Sequence, residues 1–517
     1  MEPGTDEMKG DLRSREAALE MGAEEFRKLG HQMVDQLATF LESLPSRPVH
    51  PAETVAEVRA ALGSGSLPEH GSSPGEILDE AARLVFDHSL FNGHPGFMAY
   101  VTSSAAPIGA LGEFLAATVN ANVGAWALSP MASEIETQTI QWIREAIGCP
   151  RGYGGLLVSG GNLANFVGFL AARKAKAGWD IRAKGTQSGE RRLRLYASRE
   201  THTWIQKAAD LFGLGTDAIA WISVDKDQKM NLAELEQKIS TDRAQGHQPF
   251  LVVGSAGTVS TGTVDPLDGI ATICRTHDLW FHVDGAYGAF AAMLPEASAD
   301  LRALAEADSI ALDPHKWLYA PLEAGCALVR DPQSLVDAFS FHPEYYLFDQ
   351  DEDQADPDEP PAFNYYELGP QNSRGFRALK VWLAWRQAGR DGYIRMIRDD
   401  IALAKALYDC ICDHPELEAL TQSLSITTFR YVPETIPDGA GNRDEWLNEL
   451  NRGLLKKLQS GGQVYLSNAV VDGCFVLRAC IVNFRTTLKE IEALPEQVAE
   501  NGREWLATKP WSDCAPS

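Results

Sequence analysis

The chain has 517 residues, 44% of them hydrophobic and 23% charged, which is ordinary for a globular protein with one large domain and smaller ones. A formal net charge of −25 argues against nucleic acid or an anionic membrane as partner, since both select basic patches. No apolar run approaches the roughly 18 residues of a membrane span, the polar opening MEPGTDEMKGDLRSRE is not a signal peptide, and the eight scattered cysteines have no metal-ligand spacing; a cytoplasmic protein without a metal centre is expected.

Residues 1–18 are polar and are expected to form a poorly ordered tail. Over residues 22–44, Phe26, Leu29, Met33, Leu37 and Phe40 recur at helical spacing and predict an amphipathic helix. Pro45 to Pro51 breaks it, and a second helix is expected at about 52–62. The run His94-Pro95-Gly96-Phe97-Met98-Ala99-Tyr100 leads into a Ser/Ala/Gly-rich helix. Trp126-Ala127-Leu128-Ser129-Pro130 precedes another helix, for which Ser133 is the expected N-cap.

From residue 150 to 330 short apolar runs alternate with helical patterns, which predicts a mostly parallel α/β sheet. The first unit, Gly154 to Asn165, reads as strand, glycine-rich turn and helix start. Glycines there let the backbone approach a phosphate, whose charge the unpaired N–H groups of a helix N-terminus stabilise; Gly161 and Asn162 are the candidate contacts. LRLYAS (193–198) is the next strand, followed by His202, and PFLVVGSAGTVSTG (249–262) contains another.

Two further runs, Leu279–Val283 and Ser309–Leu312, each end in an acidic residue, Asp284 and Asp313. Function in parallel sheets gathers at such carboxyl ends. Just past the second run stands Pro314-His315-Lys316-Trp317. A lysine among apolar and aromatic neighbours is expected to have a lowered pKa, because burial disfavours the ammonium. Its free amine suits carbonyl chemistry with an aldehyde. An aspartate on a neighbouring strand end suits pyridoxal phosphate (PLP), whose pyridine nitrogen it would keep protonated.

Beyond the sheet, DQDEDQADPDEPP is too acidic and proline-rich to pack and predicts a mobile loop, about 343–372. A long helical stretch covers 376–411 with weak points at Gly389 and Gly392, and alternating strand and helix patterns follow.

HVDGAYGA followed by DPHKWLYAPLEAGCALVRD resembles the PLP-dependent group II amino-acid decarboxylases, the aromatic-L-amino-acid decarboxylase family in particular, over residues 20 to about 490. The resemblance implies a fold-type I PLP-dependent transferase-like α/β fold. Its parts would be an N-terminal helical segment packing on a second subunit (19–100), a large PLP-binding domain with a mostly parallel sheet (101–390) and a small C-terminal α/β domain (391–517). It also implies that Lys316 carries the cofactor and that His202 stacks on the pyridine ring. Thr258, Ala286 and His315 would lie beside the cofactor with Asp284, Gly161 and Asn162. The family more often has Ser where Asn162 stands, so its backbone contact transfers more safely than its side chain.

The family's loop tyrosine, which reprotonates the substrate carbon, sits in a Pro-x-Tyr context; here that matches Pro343-Glu344-Tyr345, with Tyr346 adjacent and Tyr365 at the far end of the loop. The implied reaction is decarboxylation of an L-amino acid to the amine and carbon dioxide, most naturally an aromatic one (Trp, Tyr, Phe or dopa). The alternatives are an aromatic aldehyde synthase, against which Tyr345 argues, or a decarboxylase of a non-aromatic amino acid. The stretches around 92–103 and 122–126 would form the substrate pocket. Tyr100 and Trp126 are retained there, but Asn92, Val101, Asn122 and Gly124 are less bulky than is common. That pocket admits a larger indole or belongs to a different side chain. No Lys or Arg occurs from Leu84 to Ile143, which disfavours an acidic substrate.

Overall fold

The computed structural model describes residues 15, 17–189, 191–341, 364–434 and 442–508. Residues 1–14 of the expected tail and the acidic stretch with Tyr345 and Tyr346 lie outside them.

Four helices open the chain: α1 (Ala23–Ser43), α2 (Val55–Leu62), α3 (Pro74–Asp87) and α4 (Pro107–Val119). Thr54 starts α2 through a reciprocal capping box with Glu57, while proline at the first position starts α3 and α4. The next helix, α5 (Pro130–Ala146), corrects the sequence reading. Ser129 is its N-cap and Pro130 its first residue, so Ser133 lies inside the helix, 1% exposed.

The large sheet has seven strands: β1 (Gly154–Val158), β2 (Leu193–Ser198), β3 (Ile219–Ile222), β4 (Gln248–Ser255), β5 (Trp280–Asp284), β6 (Ser309–Leu312) and β7 (Gly325–Val329), in the order β1-β7-β6-β5-β4-β2-β3. β7 pairs antiparallel with both β1 and β6, and every other pairing is parallel. The strands read as continuous apolar runs because helices cover both faces. One consequence is that the carboxyl ends of β1, β2, β4, β5 and β6 share an edge, and Val158 at the end of β1 pairs with Gly325 at the start of β7. A Cβ on Gly325 would stand 2.5 Å from the Gly160 Cα, so this approach requires glycine.

A smaller antiparallel sheet follows, made of β8 (Leu417–Ser423), β9 (Ile426–Tyr431), β10 (Ser467–Val471) and β11 (Cys474–Cys480), in the order β10-β11-β9-β8. The helix Ala378–Cys412 serves both cores: Val381 and Ile397 pack with the large sheet, Ala404, Leu407 and Ile411 with the small one. It kinks at Gly389, whose φ of 64° and ψ of 170° are non-helical.

Buried polar groups tie these layers together. Glu136 of α5 and Arg374 form an ion pair with both side chains almost fully buried (0% and 1% exposed). Arg374 also donates to the Val123 and Leu157 carbonyls, and the Leu157 amide donates to Glu136. These bonds satisfy Glu136 Oε1 and both terminal nitrogens of Arg374, while Glu136 Oε2 and Arg374 Nε stay buried without a partner.

Candidate active site

A cavity of about 720 Å³ lies at the shared carboxyl edge of the large sheet. Ser159 to Asn162 reach it from the β1 turn, His202 and Lys207 from beyond β2, Gly257 and Val259 from beyond β4. Asp284, Ala286 and Tyr287 come from β5 and its end, Asp313, His315 and Lys316 from the end of β6. The strand-end logic read from the sequence therefore converges on one place.

The β1 turn feeds α6 (Gly161–Lys176), whose N-cap Gly160 has a φ of 123° and supplies no side-chain cap. The N–H groups of its first turn are thus left for a ligand, with the positive end of the helix dipole behind them. Asn165 braces the turn: its Nδ2 donates to the Gly161 carbonyl (2.8 Å) and its Oδ1 accepts from His282 Nε2 (2.7 Å). His282 Nδ1 in turn accepts from the Ser309 hydroxyl (2.7 Å). Burial pushes this imidazole down to about 4, so it is a neutral brace between β5, β6 and α6.

Asp284 Oδ2 accepts the Trp204 indole N–H at 2.8 Å, and its Oδ1 takes the Ala286 amide at 3.3 Å. These two bonds fix the carboxylate's direction. Sequence reasoning missed Trp204, because an indole N–H that follows β2 and reaches the end of β5, two places away in the sheet, leaves no local pattern. The Trp204 amide also donates to His202 Nδ1 (3.2 Å), which places the neutral ring's proton on Nε2. Burial pushes His202 below its ordinary value, with the Asp284 charge acting in the opposite direction.

Lys316 sits in the short helix Pro314–Trp317 with Nζ 2.9 Å from Asp313 Oδ2. Its pKa corrects the sequence expectation. Burial alone would lower it, but the carboxylates of Asp313 and Asp284 and the hydrogen bond to Asp313 together raise it above the ordinary value. The isolated lysine keeps its proton here because two strand ends deliver negative charge to it. His315 donates through Nδ1 to the Ala324 carbonyl (2.7 Å), and burial pushes its pKa down. Trp317 fixes the lysine's backbone by donating to Asp400 Oδ2 (2.8 Å) while Tyr287 stacks on its ring (centroids 5.0 Å apart, planes at 18°).

Of the eight cofactor residues expected, Gly161, Asn162, His202, Asp284, Ala286, His315 and Lys316 line this cavity. Thr258 does not: its side chain is buried against Thr261 (3.0 Å), and its neighbour Gly257 takes the cavity wall. Of the six substrate-pocket residues, only Val101 lines the cavity. Asn92 donates to the Ser103 carbonyl, and Asn122 Oδ1 accepts the Gly124 and Arg374 amides. Gly124 packs against the Asn372 carbonyl, which a Cβ would meet at 2.3 Å. Trp126 donates to Glu134, and Tyr100 is half exposed, its carbonyl bound by Arg478. Tyr365, one of three loop tyrosines considered, is 2% exposed and hydrogen-bonded to Thr137 (2.8 Å) under the Arg374 guanidinium, outside the cavity. Tyr345 and Tyr346 lie outside the described residues.

Comparison with known proteins gives a consistent result. Residues 59–432 match the family model described as the pyridoxal-dependent decarboxylase conserved domain. The chain is 34% identical over 490 residues to the aromatic-L-amino-acid decarboxylase of Bacillus atrophaeus, covering 93% of this chain and 98% of that protein. Among solved structures it is similar to Oryza sativa TDC with PLP and tryptamine (TM-score 0.85, 27% identity, 95% of this chain and 99% of that one). It is also similar to the Rhodiola rosea 4-hydroxyphenylacetaldehyde synthase (TM-score 0.82, 27% identity, 94% and 99%).

Pyridoxal phosphate fits the residues present. The uncapped first turn of α6 offers N–H donors to a phosphate, Asp284 offers a fixed carboxylate to a pyridinium, and Lys316 offers the only amine bonded to a cavity carboxylate among the described residues.

Proposed function

The chain belongs to the pyridoxal-dependent decarboxylase family, and from that premise we propose that its substrate is an aromatic L-amino acid, converted to the amine and carbon dioxide. The observation that carries this reading is the single cavity wall on which Lys316, Asp284, His202 and the α6 turn meet, with Val101, Phe166, Val259 and Leu322 as apolar neighbours. An aromatic side chain is stabilised by such a lining. The names of the relatives, decarboxylases of aromatic amino acids among them, point the same way.

Bound PLP supplies the electron sink for the pair that the departing carboxyl group leaves behind. The chain's own residues then have separate tasks. Lys316 would hold the cofactor through its ε-amine. Asp284, aimed by Trp204, would hold a proton on the pyridine nitrogen of the cofactor, and the flat neutral ring of His202 would pack on its face. Gly161 and Asn162 would anchor the phosphate, with Ala286, His315 and Gly257 completing the surround. Tyr345 returns the proton to Cα. Of the six expected pocket residues, Val101 is the one placed to meet the substrate side chain.

A second copy of the chain completes the protein in this reading. Helix α1 buries none of its 21 residues, and Phe26, Leu37, Leu111, Phe114 and Val119 expose 42–63% of their surface on adjoining helices. The Phe26 and Phe114 rings stack 6.1 Å apart, so α1 and α4 present one continuous apolar face. The same reading divides the chain at residues 100 and 390, supported by the Gly389 kink, and places the protein in the cytoplasm, supported by seven free cysteines among the described residues.

Incubation with a mixture of the protein amino acids and dopa, with mass spectrometry of the products, tests the substrate assignment. Tryptamine, tyramine, phenethylamine or dopamine is expected. An aldehyde formed with peroxide would replace the decarboxylase outcome and the role given to Tyr345. Amines from non-aromatic amino acids alone would overturn the aromatic reading.

A further inference from the structure

The site contains a second strand-end carboxylate, Asp313, which none of the roles above uses. It is 1% exposed. Oδ2 lies 2.9 Å from Lys316 Nζ and 3.8 Å from His315 Nε2, and 2.6 Å from where a Cβ on Gly161 would stand. Oδ1 is buried without a hydrogen-bond partner. The neighbouring groups are committed elsewhere: Asp284 to Trp204 and Ala286, His202 Nδ1 to the Trp204 amide, and His315 Nδ1 to the Ala324 carbonyl. Asp313 therefore touches the reacting nitrogen with one oxygen and has a vacant, desolvated acceptor in the other.

We propose that Asp313 is the acid–base group for cofactor capture, carrying protons from the Lys316 ammonium to the aldehyde oxygen that leaves. This rests on the PLP reading of the site. The ammonium first gives a proton to the Asp313 carboxylate. The freed lone pair on Nζ attacks the aldehyde carbon, forming the C–N bond and sending the C=O pair to oxygen. Asp313 returns its proton to that oxygen, takes a second from the nitrogen, and delivers it to the hydroxyl as the C–O bond breaks. Water leaves with the aldehyde oxygen and two of the three ammonium protons. The nitrogen keeps the third in the C=N bond, and Asp313 ends as a carboxylate. The raised pKa of Lys316 is consistent with a need for such a carrier, because the amine is not free at neutral pH.

The test is the loading rate of the full-length apoprotein, followed after mixing with PLP by growth of the long-wavelength absorbance of lysine-bound cofactor, from pH 6 to 9. Asp313→Asn is expected to load about 100-fold more slowly at neutral pH and reach the wild-type final spectrum. Asp313→Glu is expected to regain most of the rate, and added formate to accelerate the Asn variant. If the Asn variant fails to unfold cooperatively, Asp313→Ser is measured instead with the same expectation. Loading within threefold of wild type would overturn the proposal. So would faster loading, which would make Asp313 only a counter-ion that holds the ammonium. Failure of the wild-type protein to develop the band at all would refute the PLP reading itself, a separate outcome.

Discussion

Asp400 lies under the catalytic lysine's segment, 2% exposed, with Trp317 and Tyr319 both donating to its Oδ2 and no cation paired with it among the described residues. Burial raises its pKa to about 7, against an ordinary value of 3.8. The folded state therefore holds a proton on this carboxyl that the unfolded chain has already lost, and stability falls as pH rises from about 4 to 7. Linkage between these two values gives a loss of roughly 2.5 kcal/mol between pH 5 and pH 8. Asp400→Asn removes the titration while its amide oxygen still accepts from Trp317 and Tyr319. The variant should be the weaker protein at pH 5, where its amide hydrogens lack partners at a cost of about 1–3 kcal/mol. It should match or exceed wild type at pH 8. Denaturant unfolding of both proteins at intervals from pH 5 to 8 measures the difference directly, and contributions from His202, His282 and His315 cancel in it. A difference that stays constant across this range would refute the reasoning.

Two further substitutions probe the framework. Trp204→Phe keeps the aromatic packing but takes the N–H from Asp284; it should weaken PLP retention by about 1–3 kcal/mol, read as a 5- to 150-fold faster loss of cofactor on dilution, with little change in thermal stability of the apoprotein. Glu136→Ala strands the buried Arg374 guanidinium and should cost about 3–5 kcal/mol in denaturant unfolding, whereas Glu136→Gln, which can still accept from Arg374 and the Leu157 amide, should cost less.

Much of the site's skeleton was legible because it depends on short-range patterns. An apolar run closed by Asp284, another closed by Asp313, and a glycine turn before a helix each state locally where the chain must pause, and parallel topology then brings the pauses to one edge. What was not legible depends on direction across the fold. Asn92 and Asn122 stand near the expected pocket in sequence, yet their side chains satisfy backbone groups of the wall, a choice set by which carbonyls and amides lie unpaired nearby. Lys316 was expected to be depressed by burial, and the opposite sign arises from carboxylates on two different strands. Ser133 had the chemistry of a cap, but the helix had already begun at Pro130.

The most direct test of the central claim is borohydride reduction of the PLP-loaded protein, followed by proteolysis and mass spectrometry of the labelled peptide. The account predicts one phosphopyridoxyl group per chain, fixed on Lys316 in the peptide containing Asp313-Pro314-His315-Lys316-Trp317. A label on Lys207 or any other lysine, or none at all, would contradict it.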